Sequence, residues 1–265
     1  MNKIKSISIV FPLYKDKNTV EIMIKKSLAV LKKFKKKYEI IIVDDDCPQN
    51  SGKLAEAIAK KFANIKVFFH EKNLGYGTAI RTGIKKCKND WIFITDGDNE
   101  FDVKDFLKLV KVAKYNDLVI SFRYKKIYNT QRIVISWTYN AILRLLFRTK
   151  FRDVSSASRL VSKKLTKNIK LKSTSPFLGA ELAIKSMWAG YKVGEVGIYQ
   201  YPQTFWNESI SLKNILLTIK DMISLFFENF SKKILGNNNW KREKFLINQQ
   251  KKYHTIYSCI TIITP

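Results

Sequence analysis

Short apolar runs alternate with amphipathic stretches between residues 6 and about 122. The runs have the length and composition of buried strands, whereas the stretches between them repeat apolar residues at helical spacing. This alternation is typical of an α/β fold in which helices cover a mostly parallel sheet. It predicts strands at 6–13, 39–43, 65–69, 91–95 and 118–122, and helices at 21–34, 53–62, 78–87 and 103–113.

The segment 91–102, WIFITDGDNEFD, begins as a buried strand and ends in acidic residues. If the chain stays extended beyond the strand, Asp96, Asp98 and Glu100 project from the same side. Such an all-oxygen set, without Cys or His, favours a hard cation such as Mg²⁺ or Mn²⁺. The alternative is a tight turn of solvated acids in which Gly97 permits positive φ.

Polar segments follow the predicted strands at their carboxyl ends, which is where open α/β sheets bind ligands. They are the 12–16 segment PLYKD, the 44–46 segment DDD, the acidic cluster and Arg123. Because successive strand ends share one rim, these segments predict a binding site there. For 44–46 the alternative is a plain turn, with a helix N-cap downstream at Ser51.

A glycine-containing segment, NLGYGTAIRTG, occupies residues 73–83. Gly75 and Gly77 let the backbone approach a ligand closely, and Thr78 is a candidate cap for a helix whose N-terminus attracts anions. The segment matches neither the dinucleotide-binding G-x-G-x-x-G nor a P-loop. Arg81 either contacts a diphosphate or is a solvated helix residue.

The charge predicts an anionic partner, because 49 Lys and Arg against 22 Asp and Glu leave a net charge of +27. Nucleic acid is the less favoured partner, since the lysines are scattered and no helix-turn-helix, zinc or RNP pattern occurs. The three cysteines are widely spaced, which indicates neither a disulfide framework nor a zinc site and fits a reducing cytoplasm. No apolar segment reaches the roughly 18 residues of a membrane span, and the N-terminus lacks a signal-peptide layout.

Together, the ordered motifs resemble the family 2 glycosyltransferases with the GT-A fold, and most of all their dolichol-phosphate (polyprenol-phosphate) mannosyl- and glucosyltransferase branch. The motifs are P-x-Y-x-[ED], V-D-D, N-x-G-x-G-x-A-x-R-x-G and D-x-D. The likeness extends through Arg132, SWTYN at 136–140, Arg144, DVSSASR at 153–159 and GYKVGEV at 190–196. It implies an α/β, Rossmann-like three-layer GT-A domain over 1–205, an amphipathic helix over 206–236 and a tail over 237–265.

The resemblance also implies roles for individual residues. The nucleotide-sugar pocket would be lined by Pro12, Tyr14, Asp16, Asp44, Asp45 and Asp96, to which the glycine segment adds Gly75 and Arg81. Mg²⁺ or Mn²⁺ would be held on the diphosphate by Asp96 and Asp98, with Glu100 as a third ligand where the branch usually carries Gln. The catalytic set would be Asp98, Arg123 and Arg132, the two arginines facing the acceptor phosphate or the departing diphosphate. Candidate acceptor contacts are Arg144, Ser156, Arg159 and Glu181.

Three further departures from the branch pattern occur. Lys15 replaces Asn, Ala157 and Ser158 replace Gly-Phe, and the 202–209 segment PQTFWNES replaces P-R-x-x-G-x-S-K. The last change removes an Arg, a Gly and a Lys that are expected near phosphate. The acceptor is therefore open between a polyprenyl phosphate and a sugar hydroxyl of a glycan.

The two acceptors need different chemistry. A phosphate oxygen is already anionic and needs only arginines to hold it, whereas a hydroxyl needs a general base. Glu181, on a helix predicted over 176–189, is the candidate base, or else an ordinary polar residue; neither His70 nor His254 is persuasive. The favoured prediction is a metal-dependent, inverting transfer of a hexose from GDP-mannose or UDP-glucose to polyprenyl phosphate. A nucleic-acid-binding protein and an inactive scaffold are the remaining alternatives.

Two amphipathic helices, predicted at 136–147 and 211–234, bear on location. Charges interrupt both, so they would lie on a bilayer rather than cross it. The alternative is that both pack on the globular domain. The basic charge favours peripheral contact with the cytoplasmic face of the membrane.

Overall fold

The structure is a computed structural model that describes residues 4–128, 130–202 and 212–234, with side chains described to residue 229. Seven strands form one sheet in the order β3-β2-β1-β4-β6-β5-β7. The strands are β1 Ser6–Leu13, β2 Lys37–Asp44, β3 Ile65–Phe69, β4 Trp91–Ile94, β5 Leu118–Arg123, β6 Arg159–Ser162 and β7 Val193–Ile198. The helices are α1 Val20–Phe34, α2 Ser51–Ala59, α3 Tyr76–Lys86, α4 Phe106–Ala113, α5 Thr130–Phe147, α6 Lys163–Asn168, α7 Leu178–Trp188 and α8 Leu212–Ile234.

The sheet is mostly parallel, as predicted. Strands β1, β2, β3 and β4 pair in parallel, as do β5 and β7, and only β6 runs antiparallel to both of its neighbours. The strand order reverses between β1 and β4, and this switch point is where open α/β sheets bind ligands. Because β6 is antiparallel, its first residue, Arg159, pairs with Ile94 at the end of β4. Arg159 is thereby brought to the same rim.

Alternate residues of each strand supply two apolar layers. Ile9 and Phe11 of β1 pack in a cluster with residues of α1, α2 and α4, whereas Val10 packs in a second cluster with residues of α3, α5, α7 and α8. Helix α8 joins the second cluster through the buried Met222 and Leu225. Burial of such side chains contributes roughly 1.5–3 kcal/mol each. The three-layer arrangement is confirmed.

Several element boundaries differ from the prediction. The segment at 103–105 is a 3-10 turn that precedes α4, with the Asp102 side chain accepting the Lys104 amide. Helix α5 begins six residues before the predicted 136. In the GYKVGEV motif at 190–196, β7 begins only at Val193, and Gly190 adopts φ 77° after α7. Strand β6 and helix α6 were not predicted.

Both predicted helix caps are wrong. Helix α2 starts at Ser51, so the N-cap is Asn50 at φ 56°, and the Ser51 hydroxyl lies 3.0 Å from the Cys47 sulfur instead. Helix α3 starts at Tyr76, so the N-cap is Gly75 at φ 89°, a conformation that favours glycine. Thr78 therefore falls within the first turn of α3.

None of the helices within the described ranges is long and apolar enough to cross a membrane. The proposed boundary at 205–206 and the predicted tail at 237–265 lie outside the described residues.

Candidate active site

The acidic segment after β4 turns at once instead of staying extended. Strand β4 ends at Ile94, and the Asp98 carboxylate accepts the Glu100 amide at 2.9 Å. The residue with positive φ in this turn is Asn99, at 63°, and not Gly97. Gly97 is needed for a close approach, because a Cβ there would lie 2.9 Å from the Pro12 carbonyl oxygen. The turn is thereby held against the segment that follows β1.

Asp96 and Asp98 form a strained acidic pair at the end of β4. Burial raises the pKa of both carboxyl groups, and repulsion from Glu100 adds to the rise for both. Repulsion from Asp96 raises the pKa of Asp98 further. Tyr76 relieves part of this strain by donating its hydroxyl hydrogen to Asp96 Oδ1 at 2.7 Å. The pair is a site of concentrated negative charge that a cation would stabilise.

Glu100 belongs to a different network from the one predicted. Its carboxylate is buried and accepts hydrogen bonds from the Tyr128 hydroxyl at 2.8 Å and the Gln200 amide at 3.0 Å. Arg132 lies 3.9 Å from its other oxygen. Across the described ranges no group of three or more His, Cys, Asp or Glu side chains is placed to hold one metal ion. The expected convergence of three carboxylates is absent because the strand ends before they can alternate.

Two carboxylates nevertheless suit a metal that is shared with a substrate. Mg²⁺ is commonly held by one or two carboxylates together with substrate phosphates, and Mn²⁺ accepts the same oxygen donors. The repulsion between Asp96 and Asp98 is the electrostatic feature that such an ion would remove. The donor set therefore fits a divalent cation.

Asp45 lies at the N-terminus of α3. Its two carboxylate oxygens accept the amides of Leu74 at 2.9 Å and Gly75 at 2.8 Å, and His70 Nδ1 lies 2.6 Å from the first. His70 Nε2 in turn contacts the Thr82 hydroxyl at 2.9 Å. The expectation that this terminus attracts a ligand anion is corrected, since the protein supplies an anion of its own.

Asp44 is a buried acid at this rim with spare hydrogen-bonding capacity. Burial raises its pKa to about 6. Within the described part of the chain its Oδ1 atom has no hydrogen-bond partner. The side chain packs against Gly52, where a Cβ would lie 2.5 Å from the Asp44 Cγ atom. An unpartnered oxygen at a strand end fits contact with a ligand donor.

The segment after β1 shapes the neighbouring edge of the site. Asp16 is buried and accepts the Tyr14 amide at 2.9 Å, while the Tyr14 ring itself is exposed. Lys15 takes a left-handed φ of 64° and donates its amide to the Cys47 sulfur at 3.1 Å. An open surface hollow of about 400 Å³ lies between the loops that follow β1 and β2. It is lined by Lys17, Asn18, Pro48, Gln49 and Asn50.

The two predicted arginines meet at one tyrosine. The Arg123 side chain is only 5% exposed and donates to Asp153 at 2.8 Å, to Ser155 and to the Tyr128 hydroxyl. Arg132 stacks on the Tyr128 ring at 3.6 Å from its centroid and remains 27% exposed. Of the two guanidinium groups, that of Arg132 is therefore the one that a ligand can reach.

The predicted acceptor residues separate into different settings. Arg159 is buried, donates to the Val154 and Ala157 carbonyls, and exerts its charge on Asp96. Ser156 is buried with its hydroxyl against that of Ser121, which closes it to a ligand. Arg144 is partly exposed on α5 and lowers the pKa of Lys126, although burial lowers that pKa more.

Glu181 and Arg81 both hold the loop before α7. Glu181 is 2% exposed and accepts the amides of Lys172 and Ser173, with Lys185 Nζ 2.7 Å away. Arg81 donates to the carbonyl of Lys172 at 3.0 Å. Glu181 is not placed as a general base, because its oxygens are already occupied and shielded from solvent.

The sequence pattern of the family described as Glycosyl transferase family 2 matches residues 8–170, more than half of the chain. The chain belongs to glycosyl transferase family 2. This range contains both acidic strand ends, the glycine segment and the Arg123–Asp153 pair, so the family likeness predicted from the motifs is confirmed.

Several curated relatives of this family 2 protein have names that contain undecaprenyl phosphate. One from Yersinia enterocolitica, named undecaprenyl-phosphate 4-deoxy-4-formamido-L-arabinose transferase, is 34% identical over 42% of this chain and 35% of its own length. A protein of the same name from Pectobacterium atrosepticum is 28% identical over 54% of this chain and 45% of its own length. The chain thus spans less than half of the length of these relatives.

The fold is shared with solved glycosyltransferases. Glucosyl-3-phosphoglycerate synthase from Mycobacterium tuberculosis, in a complex with Mn²⁺, UDP and phosphoglyceric acid, aligns with a TM-score of 0.65 at 16% identity. The alignment covers 84% of this chain and 78% of that protein. The GT-A prediction for this family 2 chain is confirmed.

Several residues of the site were missed by sequence reasoning. Tyr76 lies inside the predicted 73–83 segment and His70 lies just before it, but their partners Asp96 and Asp45 are 20 and 25 residues away in the sequence. Further residues of this kind are Tyr128, Gln200 and Asp221. A tyrosine inside the G-Y-G segment was the one available signal.

Proposed function

We propose that this family 2 glycosyltransferase moves a hexose from a nucleoside diphosphate sugar, such as GDP-mannose or UDP-glucose, to a polyprenyl phosphate. One observation carries the proposal. The accessible Arg132 lies 3.9 Å from Glu100, which is two residues from Asp98 in the same acidic turn. A cationic contact for phosphate therefore adjoins the carboxylates that suit a metal-bound diphosphate.

The residues divide the chemistry between them. Asp96 and Asp98 would hold Mg²⁺ or Mn²⁺, and a bound ion of this kind neutralises a diphosphate leaving group. Arg132 would orient the acceptor phosphate, whose anionic oxygen attacks the anomeric carbon as the nucleoside diphosphate departs. That oxygen carries no proton to remove, and a single displacement inverts the configuration at the carbon.

Two further observations support a phosphate over a sugar hydroxyl. The candidate general base Glu181 is engaged by two backbone amides and Lys185, so a hydroxyl acceptor has no base there. The names of the relatives from Yersinia enterocolitica and Pectobacterium atrosepticum also contain undecaprenyl phosphate. Since those names specify 4-deoxy-4-formamido-L-arabinose, a donor screen includes that sugar beside mannose and glucose.

Two helices of the proposed enzyme present apolar stripes that suit a peripheral position on the cytoplasmic face of a membrane. On α5, the exposed residues Val134, Trp137 and Leu145 fall within one helical stripe, opposite the buried Leu143. On α8, the exposed stripe comprises Leu212, Leu216, Ile219, Ile223 and Phe227. Amphipathic helices of this kind bury such a stripe at the lipid headgroup boundary.

The proposal is tested by transfer assays with each donor, Mn²⁺ or Mg²⁺, and undecaprenyl phosphate in detergent. Asp98→Asn is expected to lower kcat/KM at least about 100-fold, because charge stabilisation of the leaving group is lost. Asp90→Asn is the matched control, since Asp90 precedes the opposite end of the same strand and contacts Ser6. Full wild-type activity in excess EDTA would rule out the metal. Transfer to sugar hydroxyls alone would rule out the phosphate acceptor.

A further inference from the structure

The loop at residues 172–175 is held from one side by two carboxylates. Glu181 accepts the amides of Lys172 and Ser173. Asp221 of α8 accepts the amides of Thr174 and Ser175, each at 3.0 Å, and the Ser175 hydroxyl at 2.7 Å. Four successive amides therefore point towards α7 and α8.

The carbonyl groups of the same loop surround the start of α3. The Gly77 amide donates to the Thr174 carbonyl at 2.8 Å. A Cβ at Gly77 would lie 2.7 Å from the Ser173 and Ser175 carbonyl oxygens, and one at Gly75 would lie 2.7 Å from that of Thr174. The loop thus fixes the position of the first turn of α3, because backbone atoms meet there without room to shift.

The first turn of α3 in turn holds the acidic pair. Tyr76, between these two glycines, donates its hydroxyl hydrogen to Asp96. Gly75 also donates its amide hydrogen to the Asp45 carboxylate, so the same turn joins the ends of β2 and β4. A displacement of the loop would therefore reach both acidic strand ends through a contiguous chain of hydrogen bonds.

We infer that Asp221 is a positioning residue for the nucleotide-sugar site, acting from α8 through the 172–175 loop and Tyr76. The inference rests on the proposed function, since it takes the ends of β2 and β4 as the donor site. Glu181, which accepts amides of the same loop, then also has a structural role in that site. Helix α8 then contributes to donor binding as well as to the second apolar layer.

The test compares Asp221→Asn with Glu228→Gln in the full chain. Both substitutions remove a carboxylate from α8. Glu228, however, pairs with the side chains of Lys172 and Lys185, and among the described residues it accepts no amide of the loop. For Asp221→Asn we expect the donor KM to rise about 10-fold with kcat changed less than about 3-fold, because charged hydrogen bonds are lost outside the reacting atoms. Glu228→Gln is expected to leave the donor KM within about 2-fold of wild type.

A second readout does not depend on transfer. In Asp221→Asn, hydrogen exchange should quicken at the amides of Thr174, Ser175 and Gly77, and calorimetric binding of UDP or GDP with Mn²⁺ should weaken by the same factor as the KM. If Asp221→Asn does not fold, Gly77→Ala tests the contact from the α3 side and should give the same rise in KM.

The outcomes distinguish a failure of the Asp221 inference from a failure of the proposed function. An unchanged donor KM and unchanged nucleotide binding in folded Asp221→Asn, beside an active wild type, would overturn the inference alone. Nucleotide binding that weakens as expected, in a protein whose wild type transfers no sugar, would support the inference and count against the proposed function. A wild type that binds neither nucleotide would overturn both.

Discussion

Tyr128 connects two guanidinium groups to a carboxylate of the acidic turn. Its ring lies under Arg132, and its hydroxyl donates to Glu100 while accepting from Arg123. Arg123 is fully engaged by this network, whereas Arg132 keeps an exposed edge. The sequence analysis assigned the same role to both arginines, but their settings differ. Arg123 holds other side chains of the site in place, whereas Arg132 can contact a ligand.

Arg132→Ala should reveal this difference. With polyprenyl phosphate as acceptor we expect kcat/KM for the acceptor to fall about 100-fold, because a charged contact to the phosphate is lost. Arg152→Ala is the control, since Arg152 also stacks on a ring, that of Phe122, at 4.7 Å. The rates are measured at saturating donor on folded protein. An equal fall in both variants, or in neither, would remove Arg132 from the acceptor site.

Asp153 should give the fold a measurable acid sensitivity. Burial raises its pKa, but the hydrogen bond and charge of Arg123 outweigh burial and bring the pKa to about 2, below the ordinary 3.8. The ionised form is thus favoured by folding, and its stabilisation is present above about pH 5 and lost as the pH falls through 2. It amounts to about 2–3 kcal/mol, of which about half is lost by pH 3.

Urea unfolding at pH 7, 5, 4 and 3 tests this prediction. Asp153→Asn should be destabilised by about 3–5 kcal/mol at pH 7, since Arg123 loses its buried partner, and should show a shallower decline below pH 5. Asp46→Asn is the control, because Asp46 is exposed and has a left-handed φ of 56° that Asn tolerates. An Asp153→Asn curve parallel to wild type would refute the assignment.

At the scale of elements, local periodicity was sufficient to predict the parallel strands and their helices. The strands at 6–13 and 65–69 were predicted with the bounds that the structure has. Strand β6 was missed because its four residues, RLVS, have too little pattern, and its place between β4 and β5 depends on pairing with distant strands. Helix α6 is likewise too short for a helical period to stand out.

The candidate site was predictable in outline for the same reason. The carboxyl ends of parallel strands lie at one edge of the sheet regardless of the side-chain contacts, so the acidic segments could be predicted to lie together. Partner choice could not be read from spacing, because Glu100 pairs with Gln200 and Glu181 with the loop before it. Burial decides these pairings, since a carboxylate removed from water takes the nearest donors.

The exposed stripes of α5 and α8 should bind lipid. Leu145→Asp together with Leu216→Asp is expected to lower partitioning onto anionic liposomes more than about 10-fold, since burial of a leucine contributes roughly 1.5–3 kcal/mol. Tyr115→Asp is the control, because Tyr115 is exposed outside both stripes, between α4 and β5. Co-sedimentation of purified variants gives the measurement. Partitioning that the double substitution leaves unchanged would show that these stripes do not contact the bilayer.

For the whole molecule, the net charge of +27 complements the apolar stripes. Basic residues near an anionic surface add about 1 kcal/mol each, and the attraction weakens once salt shortens the Debye length below ~8 Å. Charge and apolar area thus favour the same peripheral position. Neither selects a donor or an acceptor, which depend on the few side chains at the sheet rim.

The carboxylates that hold the 172–175 loop lie beyond residue 170, where the family match ends. A chimera that keeps residues 8–170 and exchanges α8 would therefore alter the loop beside the proposed donor site as well as the surface proposed to meet lipid. Engineers who replace α8 to retarget the protein would need to carry Asp221 across with it. The helix is not an interchangeable module.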